Sequence, residues 1–378
     1  MATSSYLRRM HQRRIIEAVA RSGSVSRSSL ARATGMSQPT VSRIVDQLLA
    51  DHVLAESSDE SVPAGNSSTK TAVLGRPTTQ LELDRHKPRF SIVQLGVRNT
   101  RIAVLPVAIP LEDKWESQFP TPTSADAWLR QVAKLCKTHR ESELKTVISL
   151  PGVVDERTGK VYLSPNVRWL EKAELGKSLR EIFGQALVFK QELRLMALGQ
   201  RAVEPELGDF LLVDSGNGVG AAAVIGGTLF SGSVPLSGEI GHVAVPGNNR
   251  KCGCGAVGCL ETLISRAGLL ASAVENGQPN LWPDLIEYLS DKPLPHWLKH
   301  SLDSAAVDIA AALNLLGLRQ VILTGAFREL PPACVQYLSD AICEHAMWAR
   351  FDQLSIRTAP RHRQAGVVSV ALDSMLLG

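Results

Sequence analysis

The chain has 378 residues, 44% of them hydrophobic and 21% charged, with a formal net charge of +4. That length exceeds one ordinary core and calls for two or three domains, in the balance of a soluble globular protein. No uninterrupted apolar run approaches a membrane span, and no signal-peptide core follows the basic N-terminus, so a cytoplasmic protein without membrane attachment is expected.

The charge is unevenly spread. Residues 1–89 hold thirteen Lys/Arg and eight Asp/Glu, whereas the remainder holds 28 and 29. A basic head on a nearly neutral body points to a nucleic-acid-binding module fused to something else.

Residues 6–22 place Leu7, Met10, Ile15, Ile16 and Val19 on one apolar stripe at helical spacing and stop at Gly23. Ser26 caps a second helix, R-S-S-L-A-R-A-T, which ends at Gly35. Ser37 caps a third, Q-P-T-V-S-R-I-V-D-Q-L-L-A-D, with Pro39 in the first turn, where a missing N–H costs nothing. Val41, Ile44, Val45 and Leu48 then face inward, leaving Gln38, Thr40, Ser42 and Arg43 outward near the helix start. Short helix, glycine turn and polar-tipped helix read as helix-turn-helix, with the third helix as the DNA reader. A plain three-helix bundle is the alternative.

Two strands are expected next, at 53–57 and 78–83, around a polar stretch poor in core residues. That pattern is a winged helix with an extended wing. Arg76, extended between Gly75 and Pro77, suits a narrow A·T minor groove. An ordinary turn would explain the same residues. One winged helix covers few bases, so a homodimer or dimer of dimers on a double-stranded DNA operator is expected.

From Phe90 the texture changes to buried strands alternating with helices, including F-S-I-V-Q-L-G-V, T-V-I-S-L-P-G-V-V, F-L-L-V-D-S-G-N-G-V-G and Q-V-I-L-T-G. This is an α/β pattern. Within it, His242, Cys252, Cys254 and Cys259 fall in eighteen residues, with glycines at 247, 253, 255 and 258. Four N/S ligands make a closed tetrahedral set, which is a structural Zn²⁺ site, one per chain, with no position left for water. A glycine-rich surface loop with chance cysteines, or a disulfide, is the competing explanation.

The run G-E-I-G-H at 238–242, followed by C-G-C-G-A-V-G-C-L-E, closely resembles the signature of the ROK family of repressors and sugar kinases. The resemblance extends more loosely from about residue 90 onward. It implies a two-lobed actin-like domain in which the metal loop braces a sugar pocket. It also implies that Glu239, His242 and Glu261 grip sugar hydroxyls, with Pro165-Asn166 followed by Trp169 as the loop that orients the substrate. Carboxylates and amides suit such ligands because each exchanges several hydrogen bonds.

Kinases of that family open their first phosphate loop with an Asp and carry an Asn-Asp pair whose Asp is the base. Here Gln94 stands at the first Asp, Val97 replaces a glycine, and the base position is Glu192. An amide cannot organise a cation as a carboxylate does, and a base displaced by an ångström loses about a hundredfold. The second loop, Asp214 to Gly220, keeps its glycines, while Gln191 and Arg194 replace expected asparagines. No kinase activity is therefore expected, and Glu192 joins Asn166, Glu239, His242 and Glu261 as a ligand-binding candidate.

The expected organisation is a winged helix-turn-helix at 1–88 and a ROK-type effector domain at 89–378. Its expected role is that of a sugar-controlled transcriptional regulator, a repressor, of sugar-metabolism genes. The alternatives are an ATP-dependent sugar kinase and a regulator without small-molecule sensing.

Overall fold

The computed structural model describes residues 4–57, 79–136, 144–184, 187–232, 234 and 236–377. It divides into two compact units. The first comprises Met1–Ser91, Val104–Ile109 and Val368–Gly378, and the second Ile92–Ala103 and Pro110–Val367. The first unit thus closes three residues beyond 88 and takes back two later segments.

In the first unit, helix α1 (Ser4–Ser22) is followed by strand β1 (Val25–Ser26), α2 (Arg27–Thr34), α3 (Gln38–Ala50), β2 (Leu54–Ser57) and β3 (Gln80–Leu83). The helix ends obey local chemistry. The Ser26 hydroxyl accepts from Ser29 N at 3.2 Å, and Gly35 closes α2 at φ 69°, a left-handed position that glycine occupies without a Cβ penalty. The core is built from Ile15, Val19, Leu30, Val41, Val45 and Leu81, all fully buried. Leu7, expected on the apolar stripe, is instead 43% exposed, so the buried part of α1 starts later. The sheet runs β1-β3-β2, with Leu54 opposite Leu83 and Ser57 opposite Gln80. The wing stretch between them, including Arg76, lies outside the described residues.

The second unit contains two five-stranded sheets. The first is formed by β4 (Phe90–Leu95), β5 (Asn99–Leu105), β6 (Ser117–Pro120), β7 (Lys145–Leu150) and β10 (Leu187–Gln191), with the hairpin β8 (Val153–Asp155) and β9 (Lys160–Leu163) alongside. The second is formed by β11 (Phe210–Ser215), β12 (Val219–Ile225), β13 (Thr228–Leu229), β14 (Gln320–Gly325) and β15 (Ser355–Thr358). Their orders are β6-β5-β4-β7-β10 and β13-β12-β11-β14-β15. Both therefore read third, second, first, fourth, fifth, so the two lobes share one plan. β4 and β11 are buried at every position, as strands covered on both faces are.

Helices α4 (Ala125–Leu135) and α5 (Leu175–Phe183) pack on the first sheet, where Trp128, Val132 and Leu179 are fully buried. Around the second sheet lie α6 (Glu192–Val203), α7 (Glu261–Ile264), α8 (Arg266–Glu275), α9 (Trp282–Ser290), α10 (His296–Leu316), α11 (Ala326–Glu329), α12 (Pro332–His345) and α13 (Arg363–Leu377). Among the described residues no helix is long and apolar enough to cross a membrane.

Candidate functional site

In the first unit, α3 presents its polar start to solvent. The Ser37 hydroxyl accepts from Thr40 N at 3.4 Å and pairs with the Thr40 hydroxyl at 2.8 Å. Gln38 and Arg43 are exposed, and Thr40 and Ser42 half-buried. Val41, Ile44, Val45 and Leu48 occupy the opposite face. Arg27 fixes this helix: it pairs with Asp46 at 2.6 Å and Glu56 at 3.6 Å, and donates to Ser42 O at 3.4 Å. Four polar side chains on a rigid, capped helix end are what base-edge reading requires.

The second unit holds a cleft of about 350 Å³ at the turns that follow β4 and β11. These are the positions where strand order reverses, the usual binding crevice of open α/β sheets. Asn166, Glu192, Glu239, His242 and Glu261 all line it. Glu261 Oε2 accepts from Val219 N at 3.2 Å, so the carboxylate is tied to the second glycine loop. A Cβ on Gly218 would lie 2.9 Å from that same oxygen, so a larger residue there would displace the carboxylate. Burial pushes the Glu239 carboxyl above its ordinary range, against the opposing pull of His242. Gln191 donates to Gly152 O at 3.0 Å and approaches Glu239 Oε1 at 3.4 Å. Trp169 is placed elsewhere: it donates to Pro122 O and packs 6.2 Å from Trp128, off the cleft lining. Arg194 faces Glu156 at 3.0 Å, also off the lining.

Beside the carboxylates, one ligand atom from each of His242, Cys252, Cys254 and Cys259 lies within 4.8 Å of the others. The thiols are free, and the 3.7 Å between the Cys254 and Cys259 sulfurs rules out a disulfide between them. It matches the edge of a tetrahedron with metal–sulfur bonds of about 2.3 Å, which is about 3.8 Å. His242 turns Nδ1 to Cys252 at 3.7 Å, while its Nε2 lies 3.8 Å from Glu239 in the cleft. Burial pushes the Cys252 and Cys259 thiols up from their ordinary value. A bound cation would reverse that and hold the sulfurs as thiolates. The donor set therefore fits a metal ion. The loop is pinned by bridges pairing Ala244 with Cys259 and Lys251 with Val257.

The residues at the two glycine turns and at the start of α6 are engaged with one another. Gln94 Nε2 donates to Glu192 Oε1 at 2.6 Å, and Arg363 Nε donates to the same oxygen at 2.6 Å. In the second loop, Asp214 takes two hydrogen bonds from Arg361, at 2.6 and 2.8 Å, and one from the Thr324 hydroxyl at 2.6 Å. Arg361 also reaches Ser215 O at 3.1 Å. Its Nη2 lies 2.6 Å from where a Cβ on Gly216 would stand. Burial disfavours the Arg361 charge, but Asp214 more than offsets it. A guanidinium thus stands against the glycine turn that follows β11.

Arg361 and Arg363 were not singled out from sequence, although the run A-P-R-H-R-Q at 359–364 is a visible basic cluster. Arg27 was likewise missed, because its partners lie one helix and one strand away.

Three comparisons bear on this geometry. Residues 91–372 match the ROK family, and residues 11–54 match the winged helix-turn-helix DNA-binding family. The chain is similar to the xylose repressor of Bacillus subtilis (strain 168), 24% identical over 100% of this chain and 98% of that one. Its fold resembles a crystallised ROK family transcriptional regulator, homologous to the Escherichia coli MLC protein, with TM-score 0.75, 18% identity and 98% of both chains covered. It also resembles a ROK family glucokinase from Streptomyces griseus, with TM-score 0.61, 20% identity, and 75% of this chain and 98% of that one covered.

Proposed function

The chain belongs to the ROK family, and on that premise we propose that it is a sequence-specific DNA-binding transcriptional regulator. It represses sugar-metabolism genes and is controlled by a sugar or sugar derivative held in the cleft. The observation that carries this reading is the pairing of a capped reading helix with a cleft whose phosphate turn is taken by Arg361. Such a cleft keeps hydroxyl-binding carboxylates but resists Mg²⁺-ATP, so it suits binding without phosphoryl transfer.

In this reading residues 1–88 bind a double-stranded operator as a homodimer or dimer of dimers, and residues 89–378 bind the effector. Asn166, Glu192, Glu239, His242 and Glu261 contact the sugar. His242, Cys252, Cys254 and Cys259 hold one structural Zn²⁺, which supplies rigidity to the His242 and Glu261 ends of the cleft. Acting on DNA, the protein works in the cytoplasm. Arg76, outside the described residues, enters a minor groove beside the site read by α3.

Two measurements test the reading. Duplexes selected by the full chain from a random pool should converge on one two-fold sequence. Isothermal titration against sugars, sugar phosphates and aminosugars should find one class that binds and alters affinity for the selected duplex. Selection without convergence would refute DNA reading, and binding accompanied by sugar-dependent ATP turnover would restore the kinase.

A further inference from the structure

Glu192 is the first residue of α6, next to the end of β10, where the helix N-terminus favours a negative charge. Its Oε1 accepts from Gln94 of β4 and from Arg363 of α13. Both elements cross the division of the chain. β4 begins in the first unit and carries Gln94 in the second; α13 begins in the second unit and ends in the first. Within the first unit, α13 is tied to the DNA-reading module by Asp373, 3.5 Å from Arg13 of α1. Within the second unit, Arg363 is only 10% exposed and also reaches Asp113 at 3.5 Å. Asp113 in turn accepts from Gln364 N at 2.9 Å, and Lys114 N donates to Gln364 Oε1 at 3.0 Å.

We propose that Glu192, standing at a catalytic base position, acts instead as a latch. By holding Gln94 and Arg363 it fixes the two elements that continue into the DNA-binding unit. This rests on the regulator reading above and supplies its route of control. A ligand hydroxyl that donates to the Glu192 carboxylate draws on the charge, and on the side-chain position, that its Oε1 contacts with Gln94 and Arg363 depend on. Bound ligand therefore favours the state in which α13 is released at its start, by as much as its contacts differ between the two states. Arg363 and Gln94 are the positioning residues of this device, and Glu192 is its ligand-contacting member.

The test is hydrogen–deuterium exchange on the full chain, without sugar or DNA. Glu192→Gln and Arg363→Ala should each raise exchange severalfold in α1 and in residues 368–374, and Arg363→Lys should restore part of the protection. Arg266→Ala serves as the comparison, since Arg266 lines the cleft and pairs with Glu329, and its hydrogen bonds among the described residues go to neither β4 nor α13. It should loosen only its own surroundings. The latch is refuted if Glu192→Gln and Arg363→Ala change exchange only around residues 94, 113, 192 and 363. It is equally refuted if Arg266→Ala loosens α1 to the same degree. Because neither sugar nor operator is present, failure here leaves the regulator reading standing, whereas failure of duplex selection would remove the latch's regulatory role without altering the exchange result.

Discussion

Arg363 and Glu192, 171 residues apart in sequence, meet through a 2.6 Å hydrogen bond from Nε to Oε1. A general base must offer a free lone pair to the proton it removes. In this carboxylate one of the two oxygens, Oε1, is already shared by two donors, Gln94 and Arg363. Across the cleft, Arg361 is likewise paired, with Asp214 of the second glycine loop.

Sugar-dependent ATP hydrolysis should therefore be absent for glucose, xylose and N-acetylglucosamine, against typical enzyme rates of about 10 s⁻¹. Restoring the two aspartates, with Gln94→Asp and Glu192→Asp together, should still give no turnover, because Arg361 remains in place. A coupled assay for ADP checks this. Turnover by the unaltered chain would return the kinase to first place.

Metal analysis of protein purified without added zinc should find about one equivalent per chain. Cys254→Ser should lower metal content and Tm, since one thiolate is lost and its position passes to a weaker oxygen donor or water. Cys343→Ser, at a half-buried thiol outside the cluster, should leave metal content and Tm unchanged.

Asp308, on α10, has a buried Oδ2 with no hydrogen-bond partner among the described residues. Burial pushes its carboxyl up to about 6 from 3.8. The sign follows from linkage: the folded state holds this proton more tightly than the unfolded chain does. Its stabilising effect is therefore present below pH 4 and lost as pH rises through 6. Asp308→Asn should raise stability at pH 7–8 by about 1 kcal/mol, allowing for partial exposure to solvent. The gain should vanish near pH 4. Thermal melts at pH 4 and pH 7.5 decide it, and an equal change at both would mean that charge is not the cause.

Legibility in the sequence followed the reach of the interactions. Ser26 and Ser37 mark helix starts through hydrogen bonds spanning three residues, and Gly35 a helix end through its left-handed φ, so local spacing revealed them. His242, Cys252, Cys254 and Cys259 sit in one short run, and their cluster was visible for the same reason. Arg361 meets Asp214 across 147 residues, a pairing that no local pattern encodes. Leu7 has helical spacing, yet spacing does not say where along a helix the core begins. Trp169 is close to Asn166 in sequence, but its ring packs toward Trp128 and its N–H donates to Pro122 O, partners that lie more than forty residues away in the chain.

The last prediction separates two arginines of the reading module. Arg43 is exposed near the start of α3 and makes no ion pair among the described residues, so its guanidinium is available to a base edge. Arg27 is engaged by Asp46 and Glu56 and supports the helix rather than reading sequence. Arg43→Ala should thus relax preference at one base position of the selected duplex, costing about 1–3 kcal/mol there if the contact is bidentate to guanine. Arg27→Ala should weaken binding evenly across sequences, because tilting α3 degrades every contact it makes. Competition binding at fixed salt, with single-base variants of the selected duplex, gives both profiles. If Arg27→Ala changed preference at one position while Arg43→Ala acted evenly, their roles would be exchanged: Arg27 would reach a base, and Arg43 would be a phosphate contact.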